Sequence, residues 1–239
     1  YKMKILIIIP AYNEEENILN TYSEILNYNK LHKDNYNVIV INDGSTDGTE
    51  KICKMNYIPT ISLIHNLGIG GAVQTGYKYA YEHNYDIAVQ FDADGQHDVN
   101  YIKTIIDPII GGESDMVIGS RFIEHASSKF KSSFARRIGI KWISIIIKLV
   151  TGKRILDTTS GFRAVNKELI KSFAFAYPLE YPEPVTNAET LKKGYRIKEV
   201  AVNMHERQGG KSSIGSWKNI YYMLNVIISI FVVGTRRAK

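Results

Sequence analysis

Cysteine is almost missing from this chain: Cys53 is the single one in 239 residues. One thiol cannot close an internal disulfide, so the fold must rest on its core, and a reducing, cytosolic compartment is the expectation. There is no run of about 20 uninterrupted apolar residues, which argues against a clear transmembrane helix. The nearest approach, IYYMLNVIISIFVV from Ile220, contains Asn225 and Ser229 and is followed by Gly234, Thr235, Arg236 and Arg237. No internal repeat or low-complexity tract is found, and the first residues open neither a secretion signal nor a transit peptide. An acidic excess is also lacking, since the net charge is +6 and the pI about 9.1. That balance admits anionic lipid, phosphorylated small molecules or nucleic acid. The 16 tyrosines are scattered and not interleaved with arginine as on an RNA-stacking surface, so no nucleic-acid partner is expected.

The hydrophobic content of 44% is enough for a sizeable core in one domain, or in one core with an appendage. The first half alternates β-branched runs with helical patterns, which predicts βαβ units and a mostly parallel sheet. Strands are expected at 4–10 (KILIIIP), 36–43 (YNVIVIND), 60–65 (TISLIH), 86–92 (DIAVQFD) and 115–122 (DMVIGSRF). Asn13 has the character of a helix N-cap followed by Glu14, Glu15 and Glu16, and a further helix should begin near Gly71. After a polar loop at 123–133, the second half reads as a helix from Phe134 to Val150, the turn DTTSGF, a helix near 184–193, the strand RIKEVAV and the C-terminal segment. Ligands of open α/β sheets bind beyond the carboxyl ends of strands, so PAYNEEEN, NDGSTDGT, HNLGIGG and DADGQHD should gather on one edge.

Asp92, Asp94 and Gln96 alternate after the fourth strand and can offer three oxygens to one hard cation, Mg²⁺ or Mn²⁺. The plain alternative is a solvated acidic turn, and Asp98 is assigned to capping the next helix. Asp43 ends the second strand, where a carboxylate can accept from a base imide or a ribose hydroxyl. LGIGGAVQTG fails the dinucleotide fingerprint, because Val73 stands where the last glycine belongs; Gly70 and Gly71 are expected to let the backbone approach a nucleotide. His97 is a ligand, a base, or simply a hydrogen-bonded loop histidine. In HERQGGKSS, Arg207 and Lys211 flank a Gly-Gly; two cations on a flexible loop suit a diphosphate, although an ordinary basic loop reads the same way. FARRIGIKWISIIIKLV sets Arg136, Arg137, Lys141 and Lys148 in an apolar helix with Trp142, a composition fit for a headgroup interface or for a buried core helix.

Taken in order, IIIPAYNEEENI, VINDGSTDGT, HNLGIGGAVQTG, QFDADGQHD, GSRF, DTTSGFRAVN and HERQGGKSS resemble the family-2 glycosyltransferases of the GT-A fold. The resemblance covers residues 4–213 and is strongest to the branch of dolichol-phosphate mannose synthase and the bacterial polyprenyl-phosphate glycosyltransferases. It implies an α/β, Rossmann-like GT-A fold with a mostly parallel central sheet, helices on both faces and a C-terminal amphipathic or apolar helix. The catalytic domain would span 1–213, with a nucleotide-binding half at 1–122 and an acceptor-side half at 123–213. Residues 214–239 would form a membrane-proximal or oligomerisation helix. The activity implied is inverting transfer of a hexose or N-acetylhexosamine from a UDP- or GDP-sugar to polyprenyl phosphate at the cytosolic membrane face. The alternatives are an acceptor on a growing surface polysaccharide or teichoic-acid-type polymer and, remotely, a non-catalytic nucleotide-binding adaptor of a membrane partner.

By the same resemblance, Pro10, Tyr12, Glu14, Asp43, Gly70, Gly71 and Ala93 line the nucleotide pocket, and Asp92, Asp94 and Gln96 hold Mg²⁺ or Mn²⁺ against the diphosphate. Arg207 and Lys211 cover the leaving group, while Arg121 and Ser160 face the acceptor. The chain departs from many relatives in having Asn42-Asp43 before Gly-Ser, and in the stretch LEYPEPVTNAE, where the family often places a glutamate. Glu183 is the candidate base if the acceptor is a hydroxyl; a phosphate acceptor is already ionised and needs none. A membrane surface or a small membrane protein is the expected partner, and homo-oligomer formation is open.

Overall fold

The computed structural model describes residues 3–123, 134–205 and 216–235, and the side chains of all of these except 134–136 and 216–222. Nearly all of the polar loop at 123–133, and HERQGGKSS beyond His205, lie outside the described residues. The chain runs β1 (Ile5–Ala11), α1 (Ile18–His32), β2 (Asn37–Asn42), α2 (Thr49–Met55), β3 (Thr60–Ser62), α3 (Gly68–Glu82) and β4 (Ile87–Gln90). It continues through α4 (Ile102–Ile110), β5 (Met116–Ser120), α5 (Phe134–Thr151), β6 (Arg163–Asn166), α6 (Lys167–Phe175), α7 (Pro182–Lys192), β7 (Ile197–Ala201) and α8 (Ser216–Thr235). The strands form a 7-stranded sheet in the order β3-β2-β1-β4-β6-β5-β7. All run parallel except β6, which is antiparallel to both β4 and β5.

The apolar run of β1 is continuous because both faces of the sheet are covered. Leu6 and Ile8 point into a core shared with α3, α5, α6, α7 and α8. Ile5, Ile7 and Ile9 point into a second core with α1, α2 and α4. Helices on both faces of a mostly parallel sheet make the chain an α/β fold of the kind the sequence implied.

Three local expectations need correction. Asn13 does not cap α1: it adopts a left-handed φ of 55°, and the helix begins only at Ile18. Asn13, Glu14 and Glu15 are instead bound to the loop after β2. α3 starts at Gly68, three residues before the expected Gly71, because the Leu67 N–H just ahead of it is taken up by the Asp43 carboxylate. The pair β6–α6 has no counterpart in the sequence reading. Residues 163–165 of this strand are all buried, so the two-residue alternation that marks a half-exposed strand is missing.

The helix expected as an appendage at 214–239 packs against α5 and α7. Val226, Ile230 and Val233 of α8 enter the first core. Its other face leaves Leu224, Ile228, Phe231 and Val232 exposed. Among the described residues no helix is long and apolar enough to cross a membrane.

Candidate active site

The reversal of β6 gathers the candidate residues. Gln90, the last residue of β4, pairs with Arg163, the first of β6, and Arg163 also pairs with Ile118 near the end of β5. The segments after β1, β2, β4 and β5 and before β6 therefore meet at one sheet edge.

On the nucleotide side, the loops after β1 and β2 are laced together. The Asn13 N–H donates to Ser45 Oγ (3.0 Å), Thr46 N–H to Asn13 Oδ1 (2.8 Å), Glu14 N–H to Thr49 Oγ1 (2.9 Å) and Gly48 N–H to Glu15 Oε2 (2.6 Å). Pro10 and Glu14 are buried, and Tyr12 is exposed. Asp43 is 3% exposed and accepts the Leu67 N–H at 2.7 Å. Burial pushes its carboxyl up, against the lowering effect of the Leu67 and Gly68 N–H groups. Asp43 thus anchors the start of α3 at the edge where a nucleoside is expected.

The glycines of α3 stand in close contact with the rest of the chain. A Cβ on Gly70 would lie 2.3 Å from the Pro178 carbonyl oxygen and 2.4 Å from that of Leu179. One on Gly71 would meet the Leu67 side chain, and one on Gly76 the side chain of Ile8. Backbone and side chains of this chain occupy the space beside these glycines.

The loop after β4 holds the acidic cluster. Gly95 takes the left-handed φ of 74° that closes the turn, and Asp94 Oδ1 accepts the Gln96 N–H at 3.1 Å. Thr21 of α1 donates to the Ala93 carbonyl at 3.1 Å. His97 is buried, stacks on Phe162 at 4.8 Å and meets Phe91 edge-on. Its Nδ1 accepts the Asp92 N–H at 3.0 Å, and its Nε2 lies 3.6 Å from Asp92 Oδ2. Burial lowers the imidazole pKa to about 4, so the ring is neutral at physiological pH. His97 also bridges to Met204, and His205 N–H donates to the Gln96 carbonyl at 2.9 Å. The acidic loop is therefore zipped to the chain that leads into HERQGGKSS. Arg207 and Lys211 themselves lie outside the described residues.

On the acceptor side, Arg121 and Ser160 have other work than expected. Arg121 is 8% exposed and forks onto buried Asp157, with Nε to Oδ2 and Nη2 to Oδ1 both at 2.8 Å. Asp157 also accepts the Arg121 N–H, and Ser160 Oγ donates to the Gly119 carbonyl at 2.7 Å. Both side chains thus fasten the DTTSGF turn to the end of β5, because a buried guanidinium and hydroxyl must be satisfied within the protein.

Glu183, in contrast, lies by the acidic loop. It sits in the first turn of α7, entered through Tyr181 at a left-handed φ of 53°. Burial pushes its carboxyl up, Arg163 opposes the shift, Asp92 adds to it, and a hydrogen bond with Gln90 counters it. Gln90 Nε2 also lies 3.4 Å from Asp92 Oδ1, so one amide bridges the two acids. Arg163 is fully buried and was not anticipated. It donates to the Ser160 carbonyl (2.7 Å) and to Thr186 Oγ1 (2.9 Å), joining the turn to α7. An arginine within the apolar FRAV is unusual, but its partners Ser160 and Thr186 are seen only in the fold.

Among the described residues, no group of three or more His, Cys, Asp or Glu side chains forms a cage for a metal. The donor set suits a hard cation that takes few protein oxygens and completes its shell with diphosphate and water. Asp92 keeps a side-chain exposure of 32% at the sheet edge, next to Asp94 and Gln96.

The model of the family described as glycosyl transferase family 2 matches residues 6–173. The UDP-N-acetylglucosamine–dolichyl-phosphate N-acetylglucosaminyltransferase of Methanococcus voltae is 38% identical over 184 residues, which cover 70% of this chain and 71% of that one. The undecaprenyl-phosphate mannosyltransferase of Micrococcus luteus is 27% identical over 226 residues, 89% of this chain and 88% of that one. Among solved structures, glucosyl-3-phosphoglycerate synthase from Mycobacterium tuberculosis, in complex with Mn²⁺, UDP and phosphoglyceric acid, superposes with a TM-score of 0.69 at 18% identity. It covers 98% of this chain and 79% of that one.

Proposed function

The chain belongs to glycosyl transferase family 2, and from that premise we propose that it moves a sugar from a UDP- or GDP-sugar onto a polyprenyl phosphate, with inversion, at the cytosolic face of a membrane. The observation that carries the acceptor is a contrast between relatives. The Methanococcus voltae and Micrococcus luteus enzymes are named for different sugars, N-acetylglucosamine and mannose, yet both are named for a lipid phosphate. The acceptor class is common to them while the sugar varies.

In this reading Pro10, Tyr12, Glu14 and Asp43 form the nucleoside side. Asp92, Asp94 and Gln96 would hold Mg²⁺ or Mn²⁺. The bound cation supplies charge neutralisation to the departing diphosphate. A phosphate oxygen of the acceptor bonds to the anomeric carbon as the bond to the nucleoside diphosphate breaks, and the leaving group takes the electron pair. Arg207 and Lys211 of HERQGGKSS would neutralise the same charge. No proton need leave the acceptor.

The surface of α5 and α8 supports membrane contact. Ile138, Trp142, Ile145 and Leu149 form an exposed stripe on α5 flanked by Arg137, Lys141 and Lys148, and Leu224, Ile228 and Phe231 form one on α8. Apolar stripes bordered by cations suit an anionic headgroup interface. A glycan hydroxyl is the second reading, favoured by one observation: Glu183, whose carboxyl is pushed up chiefly by burial, lies near Asp92, where a base for a hydroxyl would stand.

The test is a panel of UDP- and GDP-sugars with Mn²⁺ and short-chain polyprenyl phosphate, read by labelled sugar in the lipid extract. Product that appears only with a glycan acceptor and is lost in Glu183→Gln would replace the lipid reading by the second.

A further inference from the structure

The TTSGF turn reaches the acidic loop through two adjacent residues. A Cβ on Gly161 would lie 2.7 Å from Asp92 Oδ2, 3.2 Å from Asp92 Oδ1 and 3.0 Å from Gln90 Nε2. The next residue, Phe162, stacks on the His97 ring that accepts the Asp92 N–H. One dipeptide therefore leaves the space that the Asp92 carboxylate fills and supports the group that holds its backbone. The φ of Gly161 lies outside the left-handed region, so its backbone conformation does not call for glycine. The space a side chain at 161 would need is filled by the Asp92 carboxylate and the Gln90 amide.

We propose that Gly161 is a positioning residue for the cation of the transfer reaction: by lacking a side chain it lets Asp92 turn its carboxylate toward the diphosphate, so that metal affinity depends on residue 161. The proposal rests on the reading of Asp92 as a metal ligand. An alanine at 161 meets the end of a short, rotatable side chain, and the cheapest relief is for the Asp92 carboxylate to swing aside. The fold survives that movement, but one anionic oxygen leaves the metal site, and displaced ligand support typically weakens metal binding about ten- to hundred-fold.

The test is Gly161→Ala in the full chain, read by electron paramagnetic resonance of free Mn²⁺ with and without UDP or GDP, alongside thermal unfolding without metal. Expected is a melting temperature near the parent's and an Mn²⁺ dissociation constant raised about ten-fold or more. A folded Gly161→Ala that binds Mn²⁺ as the parent does overturns the proposal. If the parent itself binds no Mn²⁺, the metal reading falls and this proposal falls with it. Should Gly161→Ala fail to fold, the double variant with Asp92→Ala decides. Removing the carboxylate restores folding if the clash is with Asp92, and leaves the protein unfolded if the glycine serves some other contact.

Discussion

The Asp92 N–H donates to Nδ1 of His97, and this one bond sets the tautomer of a buried, neutral imidazole: Nδ1 is the acceptor and Nε2 carries the proton, 3.6 Å from the Asp92 carboxylate. His97 is thus a support of the acidic loop. His97→Phe keeps a ring against Phe162 but removes the acceptor that Nδ1 offers to the Asp92 N–H, a hydrogen bond worth about 0.5–1.5 kcal/mol. We expect a lower melting temperature and weaker Mn²⁺-dependent turnover. Unchanged values in both measurements would remove His97 from this role.

Asp92→Asn and Asp94→Asn each exchange an anionic oxygen for a neutral one where the cation is proposed to meet the diphosphate. Each should lose most of the transferase activity, and chelation of the parent with EDTA should do the same. Full turnover by either variant in chelator would exclude that carboxylate as a metal ligand.

Arg121 and Asp157 offer a separable test of what holds the acceptor side together. Their side chains are 5% and 0% exposed. Removing one partner of such a pair strands a buried charge and costs about 3–5 kcal/mol. Asp157→Ala should therefore unfold at a clearly lower temperature than the parent. If Arg121 instead served mainly to bind acceptor phosphate, Arg121→Ala would keep the parent's stability and lose only acceptor affinity.

The contrast between Arg121 and Asp92 shows what the sequence could and could not disclose. The parallel order of the first strands and the clustering of loops at their carboxyl ends follow from hydrophobic pattern and strand sense, and both were legible. The position of the acidic loop at the end of β4 was legible too, because three carboxylates crowded at a strand end stand out in the sequence, while the cation proposed for Asp92, Asp94 and Gln96 is a separate question of chemistry. The pairing of Arg121 in GSRF with Asp157 was not legible, since the two are 36 residues apart in sequence and no local pattern announces it. The surroundings of Gly70 were hidden for the same reason: its neighbours, the carbonyls of Pro178 and Leu179, come from the other half of the chain. Arg163 and Gly161 became informative only once the reversed β6 laid them beside β4.

At the opposite edge of the sheet, Asp115 accepts from the Arg196 backbone N–H (2.7 Å), from Arg196 Nη2 (3.0 Å) and from Asn166 (3.1 Å), tying β5, β6 and β7 together. The hydrogen-bonded Arg196 side chain holds the Asp115 carboxyl below its usual range. A depressed acid binds fewer protons in the folded state, so its stabilisation is complete above the unfolded value of about 3.9 and is lost as pH falls through the folded one. Arg196→Ala should raise the pH at which acid unfolds the protein, seen by circular dichroism. Because Arg196 is half-exposed, salt should shrink the difference. An unshifted acid midpoint would show that the pair contributes nothing.

The two faces of α8 lead to opposite predictions for deletion and for point substitution. Val226, Ile230 and Val233 are buried in the core against α5 and α7, and each contributes about 1.5–3 kcal/mol on burial. Truncation after Ser216 removes all three, a loss comparable with the roughly 5–15 kcal/mol by which ordinary domains are stable, so the truncated protein should unfold. Truncation is therefore a poor probe of membrane contact here. Substitution on the outer face is a better one: Leu149→Glu on α5 and Ile228→Glu on α8 alter side chains that are 75% and 59% exposed, and both should keep the parent's melting temperature. If these stripes meet the headgroups, the charged variants should sediment less with anionic liposomes and transfer sugar poorly to long-chain polyprenyl phosphate, while binding donor nucleotide normally. Lys141→Glu and Lys148→Glu should weaken sedimentation further, by roughly 1 kcal/mol for each basic group lost near an anionic surface, and high salt should mask that part alone. Parent-like sedimentation by both apolar-to-charged variants would place the membrane contact elsewhere on the molecule.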